Sequence, residues 1–202
     1  MYKFYFKRLF DILLAIFLSP IWFFIFLIVT IFLFSINHRP IYYFGNRVGQ
    51  FNREFKIWKF RTLKVKTGNE SKGDTVSEND NRLTKVGRYL RKYKIDEIPQ
   101  FFQVLNGKMS IVGPRPELPI YVDKTFYNKM NISSLKPGLT DYSSILFINL
   151  QKKIPDKNAN AFVEKNILDK KNDLKKKYAR DISFKTDMYI IIETIKKLCS
   201  GI

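Results

Sequence analysis

The sequence predicts a mostly helical α/β domain associated with a membrane. Three observations predict it. Residues 12–36 run for 25 positions without an ionisable group and are interrupted by Ser19-Pro20. The stretch "FKIWKF" at 55–60 alternates apolar and basic residues like a half-buried strand. Lysine-rich segments beyond residue 157 carry apolar residues at helical spacing.

As one helix the apolar run would extend about 37 Å, enough to cross a bilayer. Pro20 removes a backbone donor and crowds the preceding turn, so a kink is expected there. Both flanks are basic, with Lys3, Lys7 and Arg8 before the run and Arg39, Arg47, Arg53, Lys56 and Lys59 after it, which puts both ends on the cytoplasmic side. A helix that bends at Ser19-Pro20, enters one leaflet and returns satisfies both features, with the Ser19 hydroxyl bonding a carbonyl freed by the kink. An ordinary signal anchor with a tolerated proline is the other reading, and these features leave both open. The run lacks a small-residue cleavage site, and Cys199, the single cysteine, has no internal partner, so nothing suggests secretion.

The expected division is therefore an anchor over 1–37 and a soluble domain over 38–202. Residues 64–81 are polar and aperiodic and read as a mobile loop. Residues 82–94 look helical, with Leu83, Val86 and Leu90 on one stripe and Lys85, Arg88 and Arg91 on another. A further helix opens at 98–105 with Pro99 in its first turn. The stretches from Ser110 ("SIVGPRPE") and Leu135 ("LKPGLTDY") read as turns, with Pro137-Gly138 at the centre of a type II turn. The last fifty residues read as helices over 158–177 and 183–198, the latter with an apolar stripe of Phe184, Met188, Ile191, Ile192 and Ile195. Its place is in the core or at a membrane surface.

With 36 Lys and Arg against 18 Asp and Glu, the net charge of +18 attracts polyanions: nucleic acid, an anionic membrane or phosphorylated small molecules. One histidine, His38, leaves no zinc cluster and no Ser-His or Cys-His pair. Carboxylates among cations remain, namely Asp96 and Glu97 near Arg88, Arg91, Lys92 and Lys94, with Arg115 held between Pro114 and Pro116. Mg2+ takes one or two carboxylates and completes its shell with water and phosphate oxygens, while arginine forks grip the other phosphate oxygens, an arrangement that suits a nucleotide pyrophosphate. A carboxylate can also attack phosphorus itself without a general base. The competing reading is structural, with the acidic pair capping the positive end of the next helix. The lysines at 175–177 read as a solvated face or as contacts to anionic lipid head groups.

"KRLFD" at 7–11, Ser19-Pro20, "KFRT" at 59–62, "DEIPQFFQVLNGKMSIVGPRP" at 96–116 and "KPGLT" at 136–140 together resemble the bacterial sugar transferase family, the monotopic phosphoglycosyl transferases, in a minimal form. The resemblance implies the bent, re-entrant helix, with Lys7, Arg8, Asp11, Ser19 and Pro20 as its signature, and interfacial amphipathic helices. It implies that Asp96 attacks the β-phosphorus of a UDP-sugar and that UMP leaves. The phosphosugar then passes from Asp96 to polyprenol (undecaprenyl) phosphate. Glu97 would bind Mg2+, and Lys59, Arg61, Arg88, Arg91, Pro114, Arg115, Pro137, Gly138 and Thr140 would surround the phosphates and substrate. The implied location is the cytoplasmic face of a bacterial inner membrane, with lipid as a partner, no nucleic acid and a homodimer left open.

Three positions depart from the family pattern. Lys108 stands where an acidic residue is usual, Leu63 where methionine is usual, and Asp141 where glycine is usual, without the glutamine that follows. The change at Leu63 is mild, Asp141 points to an unusual donor, and Lys108 and Asp141 together suggest a silent scaffold that docks other glycan enzymes. A membrane-tethered nucleic-acid binder is the alternative drawn from charge alone.

Overall fold

The computed structural model describes residues 2–36, 39–65, 75–155 and 158–200. His38 and the 66–74 part of the expected mobile loop lie outside them. The described chain is mostly helical with two small sheets. A π-helical turn at Tyr2–Phe6 leads into α1 (Lys7–Phe17) and α2 (Ser19–Ser35). Among the described residues no single helix is long and apolar enough to cross a membrane, but α1 and α2 pass that test together, bent by 59° at the expected break. At the bend the indole N–H of Trp22, not the Ser19 hydroxyl, donates to the Ala15 carbonyl at 2.8 Å. The kink thus keeps its backbone satisfied from within the pair.

Apolar all around, α2 buries only one stripe, Trp22, Phe26, Val29 and Leu33. The stripe packs on β1 (Tyr42–Val48), β2 (Glu54–Phe60) and the helices that follow, through Tyr42, Trp58, Phe60, Leu90 and Phe102. Ile21, Phe24, Ile31 and Phe34 stay exposed. The charged residues of α1 point into the protein. Lys7 pairs with buried Asp187 at 2.7 Å, and the Arg8 guanidinium donates to the Val104 and Leu105 carbonyls at 2.6 and 2.9 Å. Those carbonyls end α4 (Gln100–Leu105), so Arg8 fills the role of a C-terminal cap. Asp11, 1% exposed, accepts from Ser110 Oγ and from the Ile111 N–H.

The "FKIWKF" strand forms as expected, paired antiparallel to β1 with Tyr43 opposite Lys59. Its other edge is closed by a side chain: Gln103 accepts from the Trp58 N–H and donates to the Lys56 carbonyl, both at 2.8 Å. α3 (Lys85–Lys92) starts at an N-cap, Thr84, whose hydroxyl accepts from the Gly87 N–H. A Cβ on Gly87 would lie 2.1 Å from the Thr62 carbonyl oxygen, so glycine lets α3 ride directly on that strand exit.

The two stretches read as turns form instead a short parallel pair, β3 (Ser110–Val112) and β4 (Gly138–Thr140). Gly138 does not adopt the positive φ that a type II turn requires. It is glycine because β4 runs against Gly113, where a Cβ would meet the Gly113 nitrogen at 2.2 Å. The helices α5 (Lys124–Lys129), α6 (Tyr142–Leu146), α7 (Leu150–Lys153), α8 (Ala159–Asn166), α9 (Leu168–Asp181) and α10 (Phe184–Cys199) complete the chain. The expected 158–177 helix is split at Ile167.

One expectation for these helices changes. Lys175 is neither solvated nor available to lipid. It is 1% exposed and donates to Tyr127 Oη at 2.8 Å and Glu117 at 3.1 Å, and Lys171 joins Glu117 at 3.1 Å. On α10 the core takes Asp187 and Ile190 with partial help from Ile191, while Phe184, Ile192 and Ile195 of the apolar stripe are exposed. Burial opposes the charge on Glu117, and Lys175 and Lys171 overcome it, bringing its pKa from 4.5 to about 2. A depressed carboxylate contributes stability that is full above pH 4.5 and is lost as pH falls toward 2, up to about 3 kcal/mol. Thermal unfolding followed from pH 5 down to pH 2.5 is expected to show this acid loss, flattened in Glu117→Gln. An equally steep acid limb in that variant would refute it.

Candidate active site

The chain leaves α3 through Lys94, a non-glycine residue in the left-handed region at φ 57°. That conformation costs roughly 1–2 kcal/mol and turns the backbone into the 3-10 turn Ile95–Glu97. Successive residues of a 3-10 helix diverge by about 120°, so the two adjacent carboxylates enter different surroundings. Neither caps the next helix: α4 begins at Pro99 with no side-chain cap.

Glu97 is gripped by two cations. Lys59, at the end of β2, donates to Glu97 Oε1 at 2.6 Å, and Arg115 Nη2 binds the same oxygen. Burial opposes the Glu97 charge, and Arg115 and Lys59 overcome it, holding the carboxyl well below its usual range. In return the Glu97 charge raises the Arg115 pKa.

Asp96 is 5% exposed, and its Oδ1 has no hydrogen-bond partner among the described residues. Burial pushes its carboxyl up, against the pull of Lys59, Arg91 and Lys94. A buried, unpartnered carboxylate oxygen among cations is costly to maintain. Its chemistry is that of a group awaiting an electrophile or a cation. The Gln100 side-chain nitrogen, one turn further on, is likewise buried without a partner.

The cations are held from behind. Arg91 Nε donates to Thr62 Oγ1 at 2.8 Å. Gln103 fixes β2, and with it Lys59, to α4. Arg115 donates its backbone N–H to Asp141 Oδ2 at 3.1 Å and Nη1 to the Leu139 carbonyl at 3.3 Å. Asp141 also caps α6 through the Ser144 N–H and accepts from Ser143 Oγ. The departure at Asp141 thus supports the arginine loop.

Of the residues singled out in the sequence, Lys59, Arg91 and Arg115 converge on the acidic pair. Arg61 instead donates to the Pro40 carbonyl at 3.1 Å and lies over the Tyr43 ring. Arg88 is exposed on α3 and makes no hydrogen bond or ion pair with Asp96 or Glu97. The Pro114 and Pro137 carbonyls accept from Gly138 and Ser110 across the parallel pair, and the Thr140 hydroxyl meets that of Thr194 at 2.6 Å. Lys108 is exposed, and Leu63 forms an isolated bridge with Leu83. The supporting roles of Thr62, Gln103 and Asp141 are ones that sequence reading did not assign. Thr62 stood inside the "KFRT" motif, but no local signal pairs it with a residue 29 positions away.

Among the described residues no group of three or more His, Cys, Asp or Glu side chains is placed to hold a metal. Two carboxylates that share a cation with substrate phosphates remain a fitting donor set for Mg2+. Both cationic contacts of Glu97 fall on Oε1.

Comparison with known proteins places nearly the whole sequence. The family described as bacterial sugar transferase matches residues 2–201. An uncharacterized sugar transferase, EpsL of Bacillus subtilis strain 168, is 34% identical over 200 residues, 95% of this chain and 86% of its own. The UDP-N-acetylgalactosamine-undecaprenyl-phosphate N-acetylgalactosaminephosphotransferase of Aeromonas hydrophila is 35% identical over 145 residues, covering 69% of this chain. The UDP-glucose:undecaprenyl-phosphate glucose-1-phosphate transferase of Klebsiella pneumoniae is 37% identical over 147 residues, again 69% of this chain. The matched part is 34% of the Aeromonas protein's length and 30% of the Klebsiella protein's. With the acidic pair, its three converging cations and a match over nearly the whole sequence in agreement, the chain belongs to the bacterial sugar transferase family.

Proposed function

We propose that the protein transfers a sugar 1-phosphate from a UDP-sugar to polyprenol (undecaprenyl) phosphate. The observation that carries this reading is the buried, unpartnered Oδ1 of Asp96 beside a Glu97 already neutralised by Lys59 and Arg115. Two relatives named for this class of transfer support it. Asp96 attacks the β-phosphorus, an Asp96 O–P bond forms, and the P–O bond to the bridging oxygen breaks as UMP leaves. The phosphate of the polyprenol then attacks the same phosphorus and releases the Asp96 carboxylate. One small site handles both bulky substrates in turn, a ping-pong order. Arg115, Lys59 and Arg91 neutralise and orient the phosphate oxygens, which is most of what phosphoryl transfer demands of a protein. Mg2+ would be held by Glu97 with the pyrophosphate and would supply further charge neutralisation.

Within the same reading, α1 and α2 form a re-entrant, monotopic anchor at the cytoplasmic face of a bacterial inner membrane. The exposed apolar residues of α1, α2 and α10 support this, since a contiguous apolar surface of that kind marks an interface. Anchored so, Asp96 meets a soluble donor and a lipid-borne acceptor at the level of the head groups.

Three outcomes are expected. Asp96→Asn abolishes the phosphosugar adduct and lowers UMP release by more than about a thousandfold, and an adduct trapped on another residue would refute the assignment. Thr62→Val, which frees Arg91, lowers kcat/KM about tenfold while the unfolding temperature holds; unchanged kinetics would remove Thr62 from the site. In a Cys199→Ser background, single cysteines at Tyr5 and Arg53 react with an impermeant thiol reagent from the same side of inverted membrane vesicles. Labelling from opposite sides would establish a spanning anchor.

A further inference from the structure

A second polar concavity lies beyond Arg91. Thr75, Ser77, Asp80 and Arg82, on the approach to α3, and Asn158 and Asn160, at the start of α8, line with two alanines a cavity of about 400 Å³. That size suits a small ligand. No aromatic or large aliphatic side chain lines it, so it offers nothing on which a nucleobase would stack. Its charged residues cancel, since the Arg82 guanidinium binds the Asp80 carboxylate through Nε and Nη2 at 2.7–3.1 Å. The walls therefore do not call for an anion.

What they offer is hydrogen bonding. Side-chain hydroxyls come from Thr75 and Ser77, and amides from Asn158 and Asn160. The backbone N–H groups of Ala159 and Ala161 lie in the first turn of α8, where no intrahelical acceptor exists, and the Asn158 side chain does not cap them. The two walls are tied together by the Thr75 N–H, which donates to Asn160 Oδ1 at 2.8 Å across 85 positions of sequence. The chain links this cavity to the acidic pair: Arg91, on which the charges of Asp96 and Glu97 bear, donates to Thr62 Oγ1 at 2.8 Å, and two residues on the Lys64 N–H donates to the carbonyl of Arg82 in the cavity wall at 2.8 Å.

We propose that this cavity is the sugar subsite of the donor, taking a neutral, hydroxyl-bearing hexose, and that Ser77, Asn158 and Asn160 choose among hexoses. The inference rests on the phosphosugar-transferase reading above. A site whose polar groups match particular hydroxyls rejects an epimer that leaves them unpaired.

The test measures UMP release by the full chain in detergent, with undecaprenyl phosphate and a panel of UDP-hexoses and UDP-N-acetylhexosamines. Inhibition by UDP, which lacks the sugar, is measured alongside. Ser77→Ala and Asn158→Gly are the variants, the latter because glycine keeps the left-handed backbone at φ 59° while removing the amide. The expected result is a change of about tenfold or more in the kcat/KM ratio between the preferred donor and its epimers, with UDP inhibition unchanged. A uniform loss over all donors, or unaltered ratios, would overturn the subsite while the transferase reading stands. No UMP release from any donor by the unmodified chain would sink that reading, and this inference with it.

Discussion

Two neighbouring carboxylates taken out of water are the constraint around which this molecule is arranged. Removing one such charge from water costs several kcal/mol, repaid only by well-placed opposite charge and hydrogen bonds. The cations that meet Asp96 and Glu97 come from separate parts of the chain: Lys59 from the end of β2, Arg91 from α3 and Arg115 from the loop after β3. Each is held by an uncharged or oppositely charged partner behind it. Gln103 closes the free edge of β2, Thr62 takes Arg91, and Asp141 takes the backbone of Arg115. The three-residue parallel strands make sense in this light, since their close approach at Gly113 and Gly138 brings Leu139 and Asp141 to the arginine. Lys59 and Arg115 neutralise Glu97 through Oε1, and Asp96 keeps an oxygen without a partner among the described residues.

The apolar elements answer a different requirement. A helix apolar on every side belongs in a low-dielectric surrounding, yet α2 lends one stripe to the hairpin and to α4. Polar residues of α1 are likewise claimed by the protein, through Arg8 on the α4 terminus and Asp11 on β3. The bent helix pair is therefore integral to the core that holds the acidic pair. A shift of α1 relative to α4 would be felt at the turn carrying Asp96.

Local pattern revealed what local forces build. The break at Ser19-Pro20, the strand at 55–60, α3 and the last helix follow from proline chemistry, alternation and helical periodicity, and each stands within a few residues of its expected place. The acidic pair and three of its cations were legible from composition and order, together with the family resemblance. Non-local contacts were not legible. Nothing in "SIVGP" or "KPGLT" announces that two short segments pair in parallel, because the glycines there serve a close approach between distant backbones. Lys175 reads as one more residue of a solvated run until Glu117 and Tyr127 are seen around it. Arg61, named through the family resemblance, and Arg88, named by charge as well, make their described contacts away from the acidic pair.

The buried carboxylate of Asp187 ties the two ends of the described chain together. It accepts from Tyr2, Lys7 and Tyr178 on three different elements. Lys7 and Asp187 are 180 positions apart, so during synthesis α1 emerges long before this partner exists. Its lysine has Asp11, one turn on at 3.6 Å, within its own helix, but waits for Asp187 while nearly all of the remaining chain is made. Formation of α1 and closure of the core are thus separate events in the life of the polypeptide, ordered by the direction of translation. A chain stalled short of its last helix would lack the clasp between its first elements and its last.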